Sequence, residues 1–191
     1  MKIIESNSTS YAPRTYANAY AGDVTIALAV DYGTAGEKLT KKAAGSRYLA
    51  LPINEENTEI PADAHVDTLV SYMDRKKVNT INVAGNGIYT LSRRGWTQSR
   101  INQYLYDILS AVHKKHPISH IYNGGQTGVD IAGAVAGEAL GIPVTIHMPR
   151  GLKQRFEDGV DVPRDPKDIY LAVKEMAKHI TQPSSAPSVR M

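Results

Sequence analysis

The sequence predicts an α/β protein: a Rossmann-like parallel sheet of about five strands with helices on both faces, in a single domain. Three observations lead there. Short apolar runs rich in β-branched residues alternate with amphipathic stretches at helical spacing, the pattern of β-α-β units rather than of hairpins. Three of the apolar runs end in glycine turns, at Gly33, at 85–87 and at 124–128. The chain has 191 residues, a length that suits one sizeable core, and neither a repeat nor a linker-like stretch divides it. The domain is expected over residues 1–181. Residues 182–191, with their prolines and serines, are expected to form a disordered tail.

Residues 1–22 are polar, carry Tyr11, Tyr16 and Tyr20, and show no periodicity beyond a helical turn over 14–20. Residues 23–30 are almost continuously apolar, as a strand buried on both faces should be. A turn over 31–36 leads into a short helix, 37–44, that Gly45 stops. Residues 47–53 form the next strand and 54–61 a polar loop. Asp63 is placed to cap a helix whose face is Val66, Leu69, Val70 and Met73. The strand over 80–84 runs into Gly85-Asn86-Gly87, and 88–95 reads as a loop. Thr97 caps the longest helix, with Ile101, Tyr104, Leu105, Ile108 and Val112 on one face and His116-Pro117 at its end. Residues 118–122 are a strand, 131–140 a helix of small residues, 143–148 the fifth strand and 149–164 a charged loop. Asp165-Pro166 opens a last helix in the favoured cap-then-proline order, with Ile169, Val173, Met176 and Ile180 along it.

Composition excludes several kinds of chemistry. With no cysteine there are no disulfides, thiolate metal sites or thiol nucleophiles. The first residues lack a signal-peptide apolar region, and no run nears membrane-spanning length, so a cytoplasmic protein without membrane association is expected. The net charge of +3 is mildly basic, but lysines and arginines are scattered, and nucleic acid is not the expected partner. The histidines show no metal-ligand spacing. No metal and no cofactor are expected, and no nucleophile elbow is present.

The stretch Gly124-Gly125-Gln126-Thr127-Gly128, between an apolar run and a helix, has the arrangement of a phosphate cradle. Glycines let the backbone approach an anion, and a helix start offers unpaired N–H groups. A tight strand-to-helix turn explains the same glycines without a ligand. No Gly-Lys-Ser/Thr follows, so this is not a P-loop. Asp130, just after it, can cap the helix, bind a sugar hydroxyl or serve as a second carboxylate. Ligands of such sheets sit beyond the strands' carboxyl ends, where chain order reverses. That places Gly33 and Thr34, Gly85 and Asn86, and Gly124 to Gly128 around one site. Lys153 and Arg155 could reach an anionic ligand, Glu157 and Asp158 suit a solvated loop, and Trp96 and Tyr89 fit either a base-stacking pocket or the core.

Two groups of motifs resemble one superfamily. Gly124-Gly125-Gln126-Thr127-Gly128-Val129-Asp130, Leu140-Gly141-Ile142-Pro143, Pro149-Arg150-Gly151 and Glu157-Asp158-Gly159, together with Arg14-Thr15, Asn18, Asp23, Thr25 and Asn82-Val83-Ala84-Gly85, resemble the molybdenum-cofactor carrier family. That family is similar in fold to the LONELY GUY (lysine-decarboxylase-like) nucleotide phosphoribohydrolases of the SLOG superfamily. The blocks stand in reversed order here, so the chain reads as circularly permuted. Arg14, a strand, and Gly33-Thr34-Ala35-Gly36-Glu37 resemble the hydrolases' arginine and Gly-Thr-x-x-Glu. Val30, Asp31 and Tyr32 replace their two glycines and proline, and Gln126 replaces a loop glycine.

The resemblance implies a nucleotide or nucleotide-derived phosphate as ligand and hydrolysis of its N-glycosidic bond. Glu37 would be the catalytic carboxylate, and Arg14 would hold the phosphate or the leaving base. Gly33, Thr34, Gly85, Asn86, Gly124, Gly125, Gln126, Thr127, Gly128 and Asp130 would contribute to binding. It also implies a homodimer. The alternative is a non-catalytic carrier or sequestering protein for a nucleotide-like ligand or cofactor.

Overall fold

The computed structural model describes residues 1–54 and 60–182. Six strands form one parallel sheet: β1 (Lys2–Glu5), β2 (Val24–Ala29), β3 (Tyr48–Pro52), β4 (Thr80–Gly85), β5 (His120–Asn123) and β6 (Val144–Met148), in the order β1-β6-β5-β4-β2-β3. Five of these are the expected strands. The sixth, β1, is a four-residue edge strand paired only with β6, Lys2 opposite Thr145 through Glu5 opposite Met148. From β2 the chain moves to β3 on one side, then returns to build β4, β5 and β6 on the other. The reversal puts a crevice beyond the carboxyl ends of β2 and β4.

Helices cover the sheet in two layers. α1 (Tyr11–Ala21) and α2 (Ala35–Ala44) pack together on one face. α3 (Asp63–Lys76), α5 (Gln98–Lys115), α6 (Val129–Leu140) and α7 (Pro166–Lys178) form the opposite layer. α1 is an eleven-residue helix where the sequence suggests only a turn. Ser10 caps it by accepting from the Ala12 N–H, and its buried side is Thr15, Asn18 and Ala19. Asn18 donates to the His147 carbonyl at 3.2 Å. A helix that buries polar groups on hydrogen bonds has no apolar stripe to find.

Other departures are local. Residues 88–95, expected as loop, contain α4 (Ile88–Ser92). The charged stretch 149–164 contains a small antiparallel pair, β7 (Gln154–Arg155) and β8 (Asp161–Val162). Ala62, not Asp63, stands at the start of α3, and Asp63 is its first helical residue, where a negative charge favours the dipole. The caps Thr97 and Asp165 accept backbone N–H bonds as expected. Residues 55–59 of the expected polar loop and 183–191 of the expected tail lie outside the described residues. Among the described residues no helix is long and apolar enough to cross a membrane.

β2 is buried at every position, and Ile26 and Leu28 join the core with Ile101, Leu105 and Ile108 of α5. Trp96 belongs to this core: 1% exposed, it donates to the Asn54 carbonyl at 2.8 Å and meets the Tyr104 ring edge-on. α6 is buried throughout its first nine residues, and its glycines let it lie close to the sheet: a Cβ on Gly133 would stand 2.8 Å from the Val83 Cβ. Gly85, at the end of β4, is tighter still, since a Cβ there would meet the Leu28 carbonyl oxygen at 2.0 Å and the Val129 Cβ at 2.8 Å. Gly85→Ala is expected to cost about 3 kcal/mol or more by overpacking the central strands, read as a lower urea midpoint. A midpoint within error of wild type would show that the strands can part here.

Candidate functional site

A cleft of about 500 Å³ opens at the crevice between β2 and β4. α1 lends it Arg14 and Asn18. The start of α2 lends Thr34, Ala35, Gly36 and Glu37, and β4 and its turn lend Asn82, Gly85 and Asn86. Gly124, Gln126 and Asp130 close the remaining side, and Tyr11, Tyr89 and Arg155 stand with them in the wall. Arg14, Glu37, Thr34, Gly85, Asn86, Gly124, Gln126 and Asp130 are therefore brought together. Gly33, Gly125, Thr127 and Gly128 are near but do not line the cleft.

The reason lies in how the glycine loop is bonded. Arg14 reaches from α1 to Asp130, Nη1 to Oδ2 at 3.0 Å, with both side chains largely buried. The guanidinium lies so close to the loop that a Cβ on Gly124 would sit 1.5 Å from Nη1. The Asp130 carboxylate also accepts from the backbone N–H groups of Gly124 and Gln126. The Gly125 N–H goes to Asn123 Oδ1 at 2.9 Å, that of Thr127 to Gln126 Oε1, and that of Gly128 to Gln98 Oε1 at 2.6 Å. The Val129 N–H goes to the Asn86 carbonyl. The loop thus already holds an anion, and it is the protein's own Asp130. Burial pushes the Asp130 carboxyl up, while Arg14 and the two amides pull it down.

Gly125 and Gly128 have φ of +67° and +93°, where other residues are strained, so the loop needs its glycines without a ligand. The Thr127 hydroxyl donates to the Arg155 carbonyl and faces away from the cleft. The Gly33 N–H is held by Asp31 Oδ1 at 2.7 Å. Asn86 lines the cleft but is occupied: its Oδ1 accepts from the Val30 and Asp31 N–H groups, and its Nδ2 donates to the Asp31 carbonyl. It fastens the turn that presents α2.

The start of α2 is different. Thr34 caps it, accepting from the Glu37 N–H at 3.2 Å, and Lys38 bonds back to the Thr34 carbonyl. The Ala35 and Gly36 amides find no acceptor among the described residues, and a Cβ on Gly36 would meet nothing within 4 Å. Free donors face open cleft there.

Glu37 is 3% exposed. Burial, then the negative charge of Asp130, and to a lesser degree Asp31, push its carboxyl up to about 7, against the pull of a hydrogen bond with the Tyr48 hydroxyl. Among the described residues its Oε2 has no partner. Neither have two other buried atoms of the same wall: Arg14 Nε, and Oδ1 of Asn82, whose Nδ2 is spent on Thr25. Buried polar atoms are seldom left unpaired, and three of them share this cleft.

Tyr48 and the Asn82 side chain were not singled out as site residues by the sequence. An asparagine inside an otherwise apolar central strand is a usable signal; Tyr48, at the start of β3, gives none. Tyr89 is backed by the Arg93 guanidinium at 4.0 Å and by Gly159. Arg155 is in the wall but paired with Asp161 at 2.8 Å, and Lys153 is not in the wall. Among the described residues no acidic or histidine cluster could hold a metal ion.

Comparison with known proteins agrees with the permuted motif order. No curated protein matches the chain. The model of the circularly permutated YpsA SLOG family matches residues 1–112, more than half of the 191. The match spans β1 through most of α5, and with them Arg14, Thr34, Glu37 and Asn82. The chain therefore belongs to the circularly permutated YpsA SLOG family.

Proposed function

We propose that the cleft binds a nucleotide or nucleotide-derived phosphate and hydrolyses its N-glycosidic bond. Membership of the SLOG superfamily supports nucleotide-related chemistry in general terms. The observation that carries the finer reading is the set of unpaired groups on one wall: donors at Arg14 Nε and the α2 start, acceptors at Glu37 Oε2 and Asn82 Oδ1. Such a ligand is complementary to both kinds. Phosphoryl oxygens suit the Ala35 and Gly36 amides and the Arg14 edge, and sugar hydroxyls suit the two acceptors. Tyr89, stiffened by Arg93, offers a ring for a base. On this reading the phosphate takes the start of α2, and the Gly124–Gly128 loop serves by holding Arg14 in place.

Glu37 carries the chemistry. As the C1–N bond lengthens, positive charge grows on the sugar, and a carboxylate beneath it stabilises that charge. A water attacks C1 and gives a proton to Glu37, while the base leaves with the bonding pair and takes a proton from solvent; Glu37 then returns its proton to solvent and is a carboxylate again. A carboxyl near pH 7 is matched to that role at neutral pH.

The test is a release assay over nucleoside 5′-monophosphates and related dinucleotides, with free base read by chromatography. Wild type is expected to release base from at least one of them, and Glu37→Ala to lose at least about 100-fold in rate. No release, with a ligand raising the melting temperature of both proteins, would overturn hydrolysis and leave a binding protein.

A further inference from the structure

A second cleft, of about 510 Å³, lies in the opposite helical layer, behind the glycine loop and beside α6 and α7. Its floor is apolar, with Ile88, Ile131, Ile169, Ala172 and Met176. Among the described residues Arg164 is the one cation in its lining. This guanidinium lies over the Phe156 ring, 5.6 Å from the centroid, and Nη1 donates to Gln154 Oε1 at 3.2 Å. Gln154 is itself fixed, 4% exposed and donating to the Gly125 carbonyl at 2.7 Å. Among the described residues no carboxylate lies within ion-pair distance of Arg164. A half-buried, aligned guanidinium with most of its N–H groups unused therefore stands at the edge of an apolar hollow.

We propose that this cleft binds an amphipathic monocarboxylate, an aliphatic chain or aromatic ring on the floor with its carboxylate on Arg164. A guanidinium edge matches a carboxylate in two parallel hydrogen bonds, and a hollow of this size and lining suits a small apolar body. Glu157 and Asp158 stand exposed on the rim, and they oppose a doubly charged phosphate facing only one arginine. The proposal does not depend on the reaction assigned to the first cleft.

Octanoate and 4-phenylbutyrate serve as chain and ring probes, with octylamine and octanol as charge controls, all titrated calorimetrically into the full chain. At least one carboxylate is expected to bind wild type, at least about tenfold more tightly than either control. Arg164→Gln is expected to weaken it at least about tenfold, and Ala172→Trp, which fills the hollow, to abolish it. Both variants should retain the wild-type circular dichroism spectrum, and Glu37→Ala should bind the probe as wild type does. Failure of both carboxylates to bind overturns the proposal. So does equal binding by Arg164→Gln, stronger binding of octylamine, or undiminished binding by a folded Ala172→Trp.

Discussion

Asp130→Ala is expected to cost about 3–5 kcal/mol of stability, the usual penalty for stranding one half of a buried ion pair. The chain is long enough for this to appear as a fall of roughly 10 °C in melting temperature. Two losses combine. The Arg14 guanidinium, whose Nε already lacks a partner, is left uncompensated. The Gly124 and Gln126 amides lose their acceptor in the same step. Arg14→Met is expected to cost clearly less. A carboxyl deprived of its arginine can take a proton and still accept the two amides, and burial already pushes the Asp130 carboxyl in that direction. A guanidinium has no such escape, because it does not deprotonate in proteins. Urea midpoints of the two variants at neutral pH decide the matter. Equal costs, or a larger cost for Arg14→Met, would show that the pair does not anchor the glycine loop in this way.

That pair also marks where sequence reading stops. β2, β4 and the apolar faces of α5 and α7 are legible because each buries one kind of surface, so composition and spacing say the same thing. β1 and α1 are not: β1 is four residues with a single partner strand, and α1 buries Thr15 and Asn18 rather than a stripe of leucines. Within the site, Arg14, Thr34, Glu37 and Asp130 carry their own chemistry and can be singled out from the motifs. What the glycine loop does with its amides cannot be read there. Their acceptors include side chains of Gln98 and Asn123 as well as Asp130, and Gln98 comes from a helix that only the folded sheet brings near. The same loop sequence serves as an empty cradle or a filled one, depending on such partners. In the structure the loop's amides face Asp130, Asn123 and Gln98, while donors without an acceptor among the described residues lie at the start of α2.

Glu37→Gln is expected to do two opposite things, to abolish base release and to stabilise the protein at alkaline pH. The first follows from the chemistry: glutamine neither stabilises positive charge as a carboxylate does nor takes a proton from water, and a loss of about 100-fold or more is expected. The second follows from linkage. The Glu37 carboxyl titrates at about 7 in the folded protein, against 4.5 in its ordinary state. Between these values the folded chain keeps a proton that the unfolded chain gives up, so wild-type stability falls as pH rises through that window and levels off above about 7. Glutamine has no proton to lose. The two proteins should therefore be similar in stability near pH 4, and the variant should lead by about 3 kcal/mol at pH 8. Wild-type base release should rise as pH passes through about 7, where Glu37 ionises in the folded protein. A stability gap that does not open with pH would mean that Glu37 is solvated or paired, without the penalty assigned to it. A gap that opens while activity survives in the variant would leave the burial intact and move the catalytic role elsewhere. Both results together, the lost reaction and the gained stability, would identify Glu37 as a group held against its own preference for the sake of function.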